Sequence, residues 1–253
     1  MIALILAGTR PGTVNRAQTL LCGRPMIDHV ITALRSEFGS ARSIVVAGLE
    51  AGKFESDGVK VVSGGADMVD TLLNSVATLS EDTGRILVST ADIPFLTAPA
   101  VRDFVDRASQ FPDADFLYSA VIADVCRTAF PDMRRTTLRV AEGEFTGGNL
   151  VMISPSFLRR NEATIREAWA QRKSVFGLAK MLGAETMARF LFSRIFPSLL
   201  PISYLERAVG KTLGGVSVGL IVSPYPEIAA DCDRPEDIVY AERWLQKKAE
   251  GKI

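Results

Sequence analysis

Three stretches of this 253-residue chain put glycine or carboxylate where an apolar run stops. The first is "LAGTRPG", Leu6–Gly12, directly after "IALI". Gly8 and Gly12 let the backbone turn sharply and approach a ligand, and the amides of such a loop can form an anion nest. Thr9 adds a hydroxyl and Arg10 a planar cation suited to phosphate. The loop fits neither the Walker A spacing nor GxGxxG, so a plain strand-to-helix turn explains it equally well. The second is "TADIPFL", in which Asp92 follows the apolar run "RILVS". Magnesium takes one or two protein carboxylates together with substrate phosphates, and Asp92 stands where such an ion would be held. The alternative, a cap for the helix expected to begin near Ala98, fails because Asp92 stands six positions before Ala98, too far for direct capping. The third is "AADCDRPED". Asp231 and Asp233 alternate and share a face if the segment is extended. Capping of the following helix, with Pro235 in its first turn and Glu236 and Asp237 complementing its dipole, accounts for Asp233 but not for Asp231.

The elements that must carry these stretches alternate. "IALILA", "SIVVAG", "VKVVSG", "RILVSTAD" and "ADFLYSAVIA" read as buried strands, separated by amphipathic "MIDHVITALRSEF", "MVDTLLNSVATL" and "APAVRDFVDRASQF". In the first of these helices Ile27, Val30, Ile31, Leu34 and Phe38 share a side. Alternation of this kind predicts a three-layer αβα fold with a mostly parallel central sheet and right-handed crossovers. Ligands of such sheets bind beyond the carboxyl ends of the strands, where all three chemical stretches fall. From Thr164 to about Leu213 the pattern is almost wholly helical, before a last strand and a closing helix. The expected organisation is one domain spanning 1–253 with a helical insert at about 164–213.

Charge and cysteine content narrow the function. Lys+Arg and Asp+Glu balance at 29 each, which argues against nucleic-acid binding. Cys22, Cys126 and Cys232 are widely spaced and form no CxxC, so they read as buried thiols in a reducing compartment. The opening "MIALILAG" is too short for a secretory leader, and "MARFLFSRIFPSLLPISYL" is broken by Arg189, Arg194, Pro197 and Pro201. A soluble, cytoplasmic protein is expected. His29, the one histidine, sits in a helical pattern and reads as a packed residue rather than a base.

Taken in order, "LAG" with "TRPG", then "GRPMIDHVITAL", "TADIPFL", "GGNLVMISP" and "DCDRPEDI" resemble the nucleotidyltransferases of the glycosyltransferase-A-type fold, in particular the molybdenum-cofactor nucleotidyltransferase-like (MobA-like) branch. The resemblance covers most of the chain and lapses over the helical insert. It implies a Mg²⁺-dependent transfer of a nucleoside monophosphate from a nucleoside triphosphate to a small phosphorylated acceptor, with release of pyrophosphate. It further implies that Ala7, Gly8, Thr9 and Gly12 cradle the triphosphate, that Arg10, Arg16 and Asp92 are catalytic, and that Asp92, Asp231 and Asp233 hold the metal. Gly65, in "SGGADMVDTLLNSV", matches the segment that holds the base, and Gly148 and Asn149 match the acceptor side. Arg16 stands at the family's lysine position, seven residues before Gly23, and the loop lacks the paired glycine of the family pattern. A non-catalytic nucleotide-binding module with a degraded loop is the competing reading. No general base is required, since an acceptor phosphate is already ionised at neutral pH. The insert carries apolar residues interleaved with Lys180, Arg189, Arg194 and Arg207. Core packing is its plainest use; a homodimer interface, an acceptor lid and a membrane-surface contact are the others.

Overall fold

A computed structural model describes residues 1–8, 15–38, 44–49, 59–80, 83–171 and 174–252. Its strands are β1 (Ala3–Leu6), β2 (Leu20–Leu21), β3 (Arg24–Pro25), β4 (Ile44–Ala47), β5 (Val59–Val62), β6 (Ile86–Thr90), β7 (Phe116–Ile122), β8 (Thr137–Val140), β9 (Gly143–Ile153) and β10 (Val218–Ser223). Its helices are α1 (Met26–Phe38), α2 (Met68–Ala77), α3 (Ala98–Ser109), α4 (Ala123–Ala129), α5 (Pro155–Arg160), α6 (Glu162–Gln171), α7 (Val175–Met181), α8 (Ala184–Ser193), α9 (Ile202–Thr212) and α10 (Pro235–Ala249).

The main sheet runs β10-β7-β9-β6-β1-β4-β5, with β8 paired to β9 and a separate β2–β3 ribbon. Pairing is parallel from β6 through β1 and β4 to β5, and again between β10 and β7. The expected mostly parallel αβα architecture is the one observed. The sequence pattern did not anticipate β9, which is antiparallel to β6, β7 and β8 and lies between β6 and β7. Its direction follows from its connection. A short hairpin from β8, closing at the Val140–Gly143 pair, reverses the chain where a helical crossover would have kept it parallel.

Strands β1 and β4 are apolar throughout because both of their faces are covered. Ala3 and Ile5 of β1 join the core under α1 and α3, which includes Ile27, Val30, Leu34, Val101 and Phe104. Leu4 and Leu6, one residue out of phase, join Val76 of α2 and Phe157 and Leu158 of α5 on the opposite face. This is the period of two acting on a sheet sandwiched between helices. Helix α3 is capped by Thr97, whose hydroxyl accepts from Ala100 N at 3.3 Å, so Asp92 is free of that duty. A third cluster, built on Phe95, Phe130 and Trp244, fixes α10 against the strand ends.

Helices α6 to α9 occupy the region expected to be helical. Phe190 and Leu200 pack with Val140 of the β8–β9 hairpin, which gives this region a core of its own. It leaves Phe192, Ile195 and Phe196 on the surface, Ile195 at 72% exposure. Among the described residues no helix is long and apolar enough to cross a membrane.

The chain leaves β1 for β4 and β5 on one side and returns to β6 on the other, which makes the carboxyl end of β1 the switch point of the sheet. Backbones close up there. Gly48, just past β4, has φ +98°, and a methyl group on it would lie 2.3 Å from Gly8 Cα. Gly48→Ala combines left-handed strain with overpacking and is expected to cost about 2–5 kcal/mol. Gly23 also has positive φ, +78°, but faces open space. Gly23→Ala should therefore cost only the conformational part, about 1–2 kcal/mol. Urea unfolding of the two variants checks the difference; equal losses would remove the close approach from the account.

Candidate active site

The site is built from the ends of β1, β4, β5 and β6 and from the loop before α10. At the end of β1, Ala7 donates its N–H to Ala47 O at 2.8 Å and accepts from Asn15 Nδ2 at 2.8 Å. Asn15 Oδ1 also accepts from Ala17 N at 3.0 Å, capping the short 3-10 turn Arg16–Gln18. One asparagine thus ties that turn to the strand end and aims Arg16 across the crevice. Thr9, Arg10 and Gly12 lie outside the described residues.

Gly8, Gly48, Gly64 and Gly65 bring three strand ends within backbone contact. A methyl on Gly64 would lie 2.9 Å from Gly48 Cα, and one on Gly65 would lie 2.2 Å from Asp70 Cβ. The Gly65 N–H is committed to Thr71 Oγ1 at 2.9 Å, and that hydroxyl donates to Asp67 O at 2.7 Å. Gly65 therefore shapes the crevice without a free amide, while Gly64 beside it is exposed.

Past β6, Asp92 meets the loop before α10 backbone to backbone: Cys232 N donates to Asp92 O at 2.8 Å. That bond draws Asp92, Asp231 and Asp233 into one electrostatic neighbourhood. The three carboxylates are not equivalent. Asp233 is exposed and pairs with Arg16 Nη1 at 2.5 Å, the two side chains being 63% and 49% exposed. Asp231 is largely covered and pairs with Arg135 Nη1, and Arg135 Nη2 also donates to Asp231 O at 2.9 Å. Among the described residues Asp92 Oδ1 is buried with no hydrogen-bond partner.

Burial accordingly pushes the Asp92 carboxyl above its ordinary value. The nearby Thr90 hydroxyl opposes that rise and the charge of Asp233 adds to it. Burial also pushes Asp231 up to about 6; Arg135 pulls it down while Asp92 and Asp233 push it further up. Among the described residues no group of three or more histidine, cysteine or acidic side chains is arranged to hold a metal by itself. An orphaned buried carboxylate oxygen beside a second, exposed carboxylate still fits an ion that draws its remaining ligands from phosphate and water.

Several expectations need revision. Asp233 does not cap α10: the N-cap is Arg234, whose N–H donates to Asp237 Oδ2 at 3.0 Å, so Asp237 serves the helix and Asp233 is left to Arg16. Gly148 is buried, and a methyl there would lie 2.3 Å from Ser119 Oγ and 2.8 Å from Ile228 Cγ2. Its backbone is pressed between Ser119 of β7 and Ile228. Asn149 is half-buried and donates to Ile228 O at 3.1 Å. Cys22 is exposed, unlike Cys126 and Cys232, because it occupies the β2–β3 turn at φ +51°. His29 is a packed residue, its imidazole pKa lowered by burial. Asn15, Gly48, Thr71 and Arg135 escaped the sequence reading. Asn15 carried a usable signal, a capping residue directly before a turn. Arg135 carried none, since it is 96 positions from its partner.

Residues 3–176 match the family model of the MobA-like NTP transferase domain. The chain belongs to that family and is by class a nucleotidyltransferase. Among solved structures it is similar to a hypothetical transferase from Thermus thermophilus, at 32% identity and a TM-score of 0.77, covering 93% of this chain and 98% of that one. It shares its fold with the 2-C-methyl-D-erythritol 4-phosphate cytidylyltransferase of the same organism, with 16% identity, a TM-score of 0.54 and coverage of 96% and 98%. It shares it likewise with a CMP:2-keto-3-deoxy-manno-octonic acid synthetase solved with CTP, with 12% identity, a TM-score of 0.60 and 98% of each chain covered. No curated protein matched the chain.

The three carboxylates can be tested by titration. Asp231 should titrate near 6 in the folded protein, above its ordinary 3.8. A carboxyl raised in this way binds its proton more tightly folded than unfolded, so its contribution to stability falls as pH rises from about 4 to about 6. Carbon-detected NMR of the aspartate carboxyls should show Asp231 moving down in Asp92→Asn and up in Arg135→Ala. An Asp231 value that ignores both substitutions would separate the three groups.

Proposed function

We propose that this protein moves a nucleoside monophosphate from a nucleoside triphosphate to the phosphate of a small acceptor, in the cytoplasm, with magnesium. The observation that carries this reading is the buried, unpartnered Asp92 Oδ1 next to the exposed Arg16–Asp233 pair, at the end of β6 beside the glycine-lined switch point. Family membership supports the reaction class. The neighbouring cytidylyltransferase and CMP synthetase are described as acting with a sugar-type phosphate and with CTP, which supports the choice of reactants.

In this mechanism the loop from Gly8 to Gly12, with Ala7 at its root, holds the triphosphate, and Thr9 and Arg10 contribute to it. Gly64 and Gly65 border the base. Asp92 and Asp233 are the carboxylates that would hold magnesium, whose charge neutralises phosphate oxygens when it is bound. Asp231 is neutralised by Arg135 and acts by position.

An oxygen of the acceptor phosphate attacks the α-phosphorus, the bond to the β-phosphate oxygen breaks, and pyrophosphate leaves carrying the electron pair. Arg16 opposes the negative charge spreading over the α-phosphate and the leaving group. Its pair with Asp233 does not hold it back: an exposed ion pair is worth only about 0–1 kcal/mol, so Arg16 can exchange a carboxylate for a phosphate at little cost. An arginine can do this work where the family carries lysine, because its guanidinium reaches two oxygens of one phosphate.

Pyrophosphate release across a panel of nucleoside triphosphates with magnesium and phosphorylated metabolites tests the reading. Asp92→Asn should lower kcat by at least about 100-fold and leave the fold intact, because it removes the negative charge that would hold magnesium. Full activity in that variant takes Asp92 out of the reaction. Arg16→Ala is expected to lose about 100- to 1,000-fold in kcat, and Arg16→Lys to recover most of it. Equal activity in the alanine and lysine variants would show that the cation at position 16 takes no part.

A further inference from the structure

A second concavity lies outside the glycine crevice. It is a cleft of about 370 Å³ between α4 and the β8–β9 hairpin, lined among others by Cys126, Arg127, Met133, Arg134, Arg135 and Thr137. That volume is near the lower end of ligand pockets, roughly 300–1,000 Å³, and suits a small molecule. Three arginines in one small cleft stand out in a chain whose charges balance.

The three have different states. Arg127 is held by Asp124 at 2.6 Å and by Glu144 at 3.0 Å. Arg135 is held by Asp231 and by the backbone oxygen of the same residue. The Arg134 side chain is exposed and makes no hydrogen bond or ion pair among the described residues; its backbone oxygen accepts from Arg234 Nη2 at 3.5 Å. Two guanidinium groups are thus compensated by protein carboxylates and form walls, and the third is a cation with five donors to offer. The cleft also communicates with the active site. Arg135 lines it and pairs with Asp231, and the charge of Asp231 is coupled to Asp92 and Asp233.

We propose that this cleft is the acceptor site and that Arg134 binds the acceptor's phosphate there. The proposal rests on the nucleotidyl-transfer reading above for its purpose, but its anion binding can be measured separately. A cation at the mouth of the cleft selects a charged acceptor over a neutral one. The fixed arginines behind it set the cavity's width, and the wall shared with Asp231 puts the acceptor next to the triphosphate crevice.

Binding of glycerol 3-phosphate, with glycerol as the uncharged control, tests this by calorimetry on the full chain. It is measured once alone and once with a non-reacting α,β-methylene nucleoside triphosphate and magnesium filling the nucleotide crevice. With the crevice filled, glycerol 3-phosphate should bind the wild type, glycerol should not, and Arg134→Ala should weaken binding about 10- to 100-fold, as expected for a charge-assisted hydrogen bond. Arg134→Lys should restore part of it. The Arg134 side chain has no partner among the described residues, so the alanine variant should fold normally, which its melting temperature verifies. Binding that is absent, equal in wild type and Arg134→Ala, or matched by glycerol overturns the proposal. If the nucleotide analogue fails to bind, the nucleotidyl-transfer reading fails instead, and the arm without nucleotide then decides the role of Arg134.

Discussion

Three carboxylates converge at the carboxyl end of β6, and the way their mutual repulsion is managed sets the character of the site. Burial and like charge both oppose ionisation, so each group needs a cation or must hold its proton. Asp231 has Arg135, in a pair mostly shielded from water. Removing one member of such a pair strands the other, at about 3–5 kcal/mol, so it is a fixture. Asp233 has Arg16, in a pair open to solvent and readily exchanged. Asp92 has no ion pair of its own among the described residues and presents a buried oxygen without a partner. The result is a gradient from a locked pair to an exchangeable one to an unsatisfied carboxylate. In the proposed reaction, positive charge arriving with a phosphate ligand would be accommodated at the end of that gradient, where it is most favourable.

Backbone proximity is the second requirement. A sheet that changes direction at β1 opens a crevice, and side chains at Gly8, Gly48, Gly64 or Gly65 would close it or push its walls apart. The crevice is held by bonds that use up its own polar groups. Ala7 spends its N–H on β4 and receives Asn15, and Gly65 spends its N–H on Thr71. A wall braced in this way can be shaped without offering many free donors. In the proposed reaction Arg16 supplies donors to the triphosphate, and it reaches the crevice on a turn that Asn15 caps.

Much of this could be read from sequence, for reasons that apply residue by residue. Continuous apolar runs such as Ala3–Leu6 and Ile44–Ala47 occur where both faces of a strand are covered, and the alternating helices required parallel crossovers. Asp92 stood out because a strand ended just before it and the next helix began too far away to be capped. The pairings could not be read. Arg16 meets Asp233 across 217 positions and Arg135 meets Asp231 across 96, and no local pattern encodes either. Asp233 was open to a capping role because "DRPED" satisfies helix-start chemistry twice over, and only the fold shows Asp237 taking it. The direction of β9 was hidden for a different reason: an eleven-residue strand looks the same whichever way it runs.

Gly148 illustrates how packing in the sheet reaches the chemistry. Between the Tyr118 and Ala120 pairings the β7–β9 register shifts, and Ser119 replaces the lost ladder bonds by accepting from Leu150 N at 3.1 Å and donating to Leu150 O at 2.7 Å. The bulge leaves Gly148 facing Ile228, and because it has no side chain the turn Pro226–Ala229 can press against β9, where Asn149 holds it through Ile228 O. Three residues further on, the same segment delivers Asp231, and Cys232 N fastens it to Asp92 O. A side chain at Gly148 would push back the one segment that supplies two of the three carboxylates. A glycine that resembles part of a substrate pocket in sequence thus acts through a spacing inside the protein: β-bulges re-aim what lies beside them, and here they set the position of Asp231 and Asp233 relative to Asp92.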